Sequence, residues 1–222
     1  MTELSKVPGI PYTFGNPHLL EEALTHRSRG QRNYERLEFL GDSVLNFVVA
    51  ERLFELRPDD SEGDLSRLRS RVVRGDTLAK LASDIGLGDH LILGEGELRS
   101  GGFKRQSILA DALEALFGAI YLDGGFERCR AVIQHICDPV MAQLPEAEML
   151  KDPKTRLQEW LQARGRPLPE YALLREEGAE HAKQFIVRCR LADPCLEVES
   201  RGSSRRKAEQ SAAGKILQSL DD

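Results

Sequence analysis

Between Asn33 and Leu56 the chain reads NYERLEFLGDSVLNFVVAERLFEL, and Leu37, Leu40, Val44, Leu45, Val48 and Leu53 recur at three- and four-residue steps. That is the helical period, and its length without a turn signal outweighs the β-branched valines, so the spacing predicts a helix over 33–56. Gly41 in its middle costs about 1 kcal/mol against alanine, so a neighbour is expected to press on the backbone there. The same period predicts helices over 17–28, 61–73, 75–86, 106–122 and 126–143. The glycine-rich piece GEGELRSGG (94–102) breaks the pattern and is expected to be a loop. No strand-like alternation occurs before residue 150, so residues 1–147 read as an all-α domain.

The texture then changes. Pro145 to Pro153 is polar and bounded by two prolines, which marks a boundary, with residues 148–152 as the linker. Residues 153–164 (PKTRLQEWLQAR) read as an amphipathic helix with proline at its start. Strands are expected near 170–175, 183–191 and 195–200, followed by a turn at Gly202 and a last helix over 203–220. The fold class is therefore multidomain: an all-α domain followed by a small α+β (α-β-β-β-α) domain over 153–222.

Composition narrows the partners. The 222 residues are 41% hydrophobic and 30% charged, which is ordinary for a globular chain and too apolar for a disordered one. No apolar run approaches the roughly 18–20 residues of a membrane span, and the first residues hold no run that serves as a secretory signal, so no membrane partner is expected. Cys129, Cys137, Cys189 and Cys195 form no CxxC pair and lie far from any paired-histidine pattern, which argues against a zinc site; reduced thiols in a cytoplasmic protein are the simplest reading. The net charge of −5 hides an asymmetry, −7 over residues 1–150 against +2 over 151–222. The two parts are expected to meet different partners.

Several acids need explaining. Glu35, Glu38 and Asp42 stand at i, i+3 and i+7, along one helix face. Asp111 and Glu114 stand at i and i+3 inside ILADALEALFGAIYL, a run with almost no other polar face to display. The plain reading puts each acid on a solvent face, and it suits Glu35 better than Asp111 or Glu114. The alternative is a hard divalent cation, Mg²⁺ or Mn²⁺, held by grouped carboxylates if the two helices pack together. Such an ion lowers the pKa of a bound water and neutralises charge on a phosphate under attack. Other chemistries find no support: there is no GxSxG, HExxH or GxxxxGK[ST], no histidine has aspartate three residues before it, and Arg99 occupies the third place of the GxGxxG that Gly94 begins. Ser43, in GDSV, then reads as a packing residue.

The blocks ERLEFLGDSVL (35–45), EGDLSRLRSRVVRGDTLA (62–79), GELRSGGFKRQSILADALEALFGAIYLD (96–123) and DPKTRLQEWLQ (152–162) resemble bacterial ribonuclease III over nearly the whole chain. The C-terminal part, including GSSRRKAEQSAA (202–213), resembles that family's double-stranded RNA-binding domain. The resemblance implies a homodimeric endoribonuclease that cuts RNA duplexes with Mg²⁺, or Mn²⁺ as a substitute, leaving 5′-phosphate and 3′-hydroxyl ends with short 3′ overhangs. Precursors of ribosomal RNA and other structured transcripts are the expected substrates. It implies Asp42 and Glu114 as the catalytic pair and Glu38, Asp111 and Glu114 as metal ligands. Glu35 and Glu62 match supporting acids, and Phe39 matches a residue that docks into the other subunit.

For the small domain the resemblance implies that Arg205, Arg206 and Lys207 meet major-groove phosphates at a helix N-terminus, where the helix dipole also favours an anion. Gln158 and Glu159 match positions facing the minor groove, and Gly178 to His181 match the loop that enters the next one. Double-stranded RNA hides its base edges, so such a domain reads shape, phosphates and 2′-hydroxyls. Trp160, Tyr171 and Phe185 are accordingly read as core. Arg99, Lys104 and Arg105 are expected to bring phosphate to the acidic cleft. Two rivals stand beside this reading: a non-catalytic RNA-binding protein whose helical part only dimerises, and a helical metal-dependent hydrolase of small phosphate compounds.

Overall fold

The computed structural model describes residues 5–146, 151–179 and 182–221 and divides into two compact units, Met1–Ala147 and Glu148–Asp222. The first holds seven α-helices among the described residues: α1 Pro17–Leu24, α2 Glu35–Leu56, α3 Glu62–Val72, α4 Gly75–Asp84, α5 Glu95–Arg99, α6 Gln106–Gly124 and α7 Phe126–Met141. Their starts follow local chemistry. The Asn16 side chain accepts from the His18 amide ahead of Pro17, and the Ser61 hydroxyl accepts from the Asp64 amide.

Helix α6 is the axis of this unit. Every residue from Ile108 to Ile120 except Asp111 and Glu114 is buried, and α1, α2, α4 and α7 all pack on it. A helix apolar all round must be enclosed, and those neighbours enclose it. At its far end Asp123 accepts from the Tyr12 hydroxyl (2.7 Å) and the Gly15 and Asn16 amides (2.8 and 2.9 Å), which anchors the N-terminal segment.

The crossing of α2 and α6 is unusually intimate. A Cβ on Gly41 would overlap the Glu114 carbonyl, and a Cβ on Gly118 would overlap that of Leu37. The pressure on the backbone that Gly41 predicts comes from α6, and Gly118 is its counterpart there. Two glycines facing each other let the helices meet backbone to backbone.

Two expectations need correcting. The segment 94–102 is not all loop: Glu95–Arg99 forms α5, and a 3₁₀ turn follows at Gly102–Lys104. Acids in the first turn and Arg99 in the last suit the helix dipole, and Arg99 pairs with Glu95 one turn back at 3.3 Å. Gly101, at φ +78°, closes the helix's exit. The first helix ends at Leu24, not residue 28. The Ile92 amide donates to the Leu24 carbonyl and the His26 amide to the Ile92 carbonyl, so Thr25 and His26 leave the helix to pair with a distant segment.

In the second unit, α8 (Pro153–Gln162) precedes an antiparallel sheet ordered β1 (Glu170–Glu177), β2 (Gln184–Leu191), β3 (Leu196–Gly202), and α9 (Arg205–Asp221) closes it. Of the expected linker, residues 148–150 lie outside the described residues; Asp152 already caps α8, accepting from the Lys154 amide at 2.9 Å. Leu157 and Leu161 of α8, Cys189 and Leu191 of β2, and Ala212, Ala213, Ile216 and Leu217 of α9 form the core, with Trp160 and Tyr171 packed against it. Cys129, Cys137 and Cys189 are buried free thiols, and Cys195 is exposed.

Candidate active site and RNA interface

The glycine crossing determines what stands above it. Glu38 lies one turn before Gly41 on α2, while Asp111 and Glu114 lie one to two turns before Gly118 on α6. Each of the three offers a carboxylate oxygen, and these oxygens lie within 4.8 Å of one another. All three are half-buried. Burial, then the charges of Asp42, Glu38 and Asp111, push the Glu114 carboxyl up to about 8. Burial followed by Asp111, Glu35 and Asp42 raises Glu38, and burial raises Asp111 against the relief of His26 and Arg27. An all-oxygen, all-anionic donor set with like charges forced together suits a hard divalent cation.

The other acids take different places. Asp42 is exposed one turn beyond Glu38; the Asn46 amide donates to its Oδ1 at 2.7 Å. Glu35 is exposed and faces Arg27 at 3.7 Å. Glu62 is exposed in the first turn of α3 and lies outside the three-carboxylate group. Of the basic residues read as phosphate contacts, Arg105 lines the cavity beside the acids and pairs with Glu97 at 2.7 Å. Lys104 is exposed over the Phe103 ring, and Arg99 is engaged by Glu95.

Residues that the sequence analysis did not single out also line this cavity of about 460 Å³, chiefly His26, Arg27, Tyr34 and Ser107. His26 is 6% exposed, and its ring meets Tyr34 edge-on at 5.6 Å. Burial lowers its pKa, opposed by the charges of Glu97, Asp111 and Glu35. The sequence signal was the short stretch THRS, which reads as the polar end of a helix until the chain is seen to turn at Thr25.

Both units of the chain resemble known proteins. A family model described as ribonuclease-III-like matches residues 16–140, and one described as the double-stranded RNA binding motif matches residues 153–220. The chain belongs to the ribonuclease III family. The relative called Ribonuclease 3 in Thiobacillus denitrificans is 58% identical over 204 residues, covering 92% of this chain and 90% of its own. That of Dechloromonas aromatica is 54% identical over 220 residues, covering 99% of each. A solved nuclease domain of the Campylobacter jejuni ribonuclease III aligns with TM-score 0.57 and 45% identity, covering 58% of this chain and 90% of that one; it is described as flexible in a region involved in that domain's dimer formation.

Within this member of the ribonuclease III family, the small unit carries the double-stranded RNA binding motif with the expected helix, three antiparallel strands and helix. The first turn of α9 presents Arg205, Arg206 and Lys207, all exposed, but they are not equivalent. Arg205 donates to Glu209 at 2.9 Å, and Arg206 stands 3.7 Å from Asp152. Lys207 has no ion pair among the described residues and keeps its ammonium for solvent. Glu209 is buried, which works against its charge, yet Lys154 and Arg205 hold its carboxyl below the usual range and tie α8 to α9. Gln158 and Glu159 are exposed on α8, where Glu159 pairs with Lys151 at 2.7 Å. Gly178, at φ +94°, starts the β1–β2 turn; His181 lies outside the described residues. The Trp160 ring is also covered from outside by the Arg164 guanidinium at 4.0 Å.

No helix among the described residues is long and apolar enough to cross a membrane.

Proposed function

We propose that this protein is an endoribonuclease that hydrolyses double-stranded RNA using a divalent cation, Mg²⁺ by preference and Mn²⁺ as a substitute. The observation that carries the reading is the meeting of Glu38, Asp111 and Glu114 within 4.8 Å across the α2–α6 crossing, in a chain that also bears a double-stranded RNA binding motif. An RNA-binding protein with no chemistry to perform gains nothing from a half-buried carboxylate group that raises its own pKa values. A hydrolase of small phosphate compounds has no use for the second unit.

In this reading Glu38, Asp111 and Glu114 hold the cation, which when bound acidifies a water and offsets charge on the attacked phosphate. Burial and the neighbouring acids favour the protonated form of Glu114, and a cation held there would favour its carboxylate instead. Asp42, with Oδ1 held by Asn46, keeps its second oxygen open to take a proton from the attacking water. Glu35 and Glu62 are supporting acids on the rim of the cleft. Hydrolysis leaves the phosphate on the 5′ end and the hydroxyl on the 3′ end.

Cutting both strands to leave short 3′ overhangs calls for two sites, and a two-fold homodimer supplies them. Phe39, Phe47 and Phe54, at 79%, 57% and 72% exposure, line one side of α2 next to its acidic face and support that interface. Lys207, Arg206 and Arg205 grip backbone phosphates, while Gln158, Glu159 and the loop reaching His181 meet the minor groove. Arg105, and more remotely Arg99 and Lys104, temper the acidic cleft toward phosphate. The natural substrates are precursors of ribosomal RNA and other structured transcripts, processed in the cytoplasm.

The test is incubation of a long RNA duplex with purified protein in Mg²⁺, then with excess chelator. Discrete short duplexes in the first case and intact RNA in the second are expected. Binding without cleavage in Mg²⁺ and Mn²⁺ would leave the non-catalytic rival standing.

A further inference from the structure

His26 stands in the wall of the acid cavity, and hydrogen bonding determines its protonation. The Ser28 backbone N–H donates to His26 Nδ1 at 3.1 Å, and the Ser28 hydroxyl lies 2.8 Å from the same nitrogen. That hydroxyl accepts from the Gly94 amide at 2.9 Å, so its own hydrogen is available to Nδ1. A nitrogen receiving a backbone N–H carries no proton, so the ring is neutral and its hydrogen sits on Nε2. Gly94 leads into α5, and a Cβ there would overlap the Ser28 carbonyl, so the ring is locked from both segments.

Nε2 has no hydrogen-bond partner among the described residues, and it is absent from the polar atoms that are both sealed and unpaired. His26 lines the cavity together with Glu38, Asp111, Arg27 and Arg105, and this unpaired, unsealed nitrogen is the polar atom its ring has to offer there. A donor there needs an acceptor. A cation's water, with both hydrogens outward, is a poor one. An anionic phosphate oxygen is a good one, and a neutral donor can serve it without repelling a cation on the neighbouring carboxylates.

We propose that His26 is a substrate-contacting residue whose Nε2–H bonds a non-bridging phosphate oxygen of the RNA strand being cut. The inference rests on the duplex-cleaving function proposed above and adds to the acids a neutral, preorganised donor for the substrate.

Two substitutions separate this role from a structural one. In His26→Asn the amide oxygen falls near Nδ1 and keeps the Ser28 bond, but the remote donor is gone. In His26→Gln the amide reaches toward Nε2 and restores a donor, but the Ser28 bond is lost. Single-turnover cleavage of a short RNA duplex at saturating Mg²⁺ is expected to fall about tenfold or more in His26→Asn. Its half-saturating Mg²⁺ and the salt slope of duplex binding in chelator should match the parent, because no charge is removed, while loss of the buried ring beside Tyr34 lowers its melting temperature. His26→Gln should recover most of the rate while melting lower. Parent-like cleavage by His26→Asn overturns the proposal, as does equal slowness of both variants. A raised Mg²⁺ requirement in His26→Asn also overturns it, in favour of a role in holding the cation. A parent protein that leaves duplex RNA intact in Mg²⁺ refutes the underlying function, and that is seen without any variant.

Discussion

Replacing Glu114 by glutamine removes one negative charge from the half-buried group while keeping its shape. Without a cation, the folded state holds this carboxyl at about 8 against an ordinary 4.5. Between those values the native chain keeps a proton that the unfolded chain has lost. The parent's stability is thus full below pH about 4.5 and drains away as the pH climbs to about 8. A shift of this size, at 1.36 kcal/mol per pH unit, corresponds to at most about 5 kcal/mol. Water entering the open cleft recovers part of it, so Glu114→Gln should stabilise the cation-free protein by about 2 kcal/mol at pH 8. That corresponds to a rise of about 4–8 °C in the melting of the helical unit. At pH 4.5 the two proteins should melt together. The assay is thermal unfolding followed by circular dichroism in chelator from pH 4.5 to 8.5, repeated in Mg²⁺. Added Mg²⁺ should raise the parent's melting point more than the variant's, and cleavage by the variant should fall severely. A variant that melts below the parent at pH 8, or a difference independent of pH, would refute the electrostatic account and make Glu114 a packing residue.

Other expectations follow from the same structure. Gly41→Ala drives a methyl group into the Glu114 carbonyl and should cost about 3 kcal/mol or more in chemical denaturation, with cleavage lost even where the fold survives. Lys207→Ala should weaken duplex binding whatever the sequence and reduce the salt slope by about one, whereas Arg205→Ala, which also strips Glu209 of a partner, should lower the melting temperature of the small unit as well. Phe39→Ala should shift sedimentation toward monomer; an unchanged dimer would remove Phe39 from the interface.

What could be read from the chain ahead of the structure followed its periodicities. The long helices, the three strands and the change of texture after Pro145 rest on local pattern and were legible. So was the pressure on Gly41, because a glycine at the centre of a strong helix calls for a reason. Its counterpart Gly118 was not, since α6 is apolar on every side and a small residue there is one among many. The spacing of Asp111 and Glu114 raised the question of a metal, but it could not show that Glu38 comes to them, because that depends on how two distant helices cross. Glycine content outvoted the Glu95–Arg99 pairing and hid α5. His26 was missed because the turn at Thr25 is set by Ile92, a contact that no local window contains.

The backbone-to-backbone crossing of α2 and α6 has a bearing on how this site tolerates change. Larger or smaller apolar residues elsewhere around α6 can be exchanged with little effect on the ligand spacing, because no side chain serves as the spacer between the two axes. Inserting one residue between Glu38 and Gly41, or between Glu114 and Gly118, is another matter: it swings the acid around its helix by about 100° relative to the fulcrum. The site is therefore robust to apolar exchange away from Gly41 and Gly118, and brittle to insertions or deletions within those two short intervals.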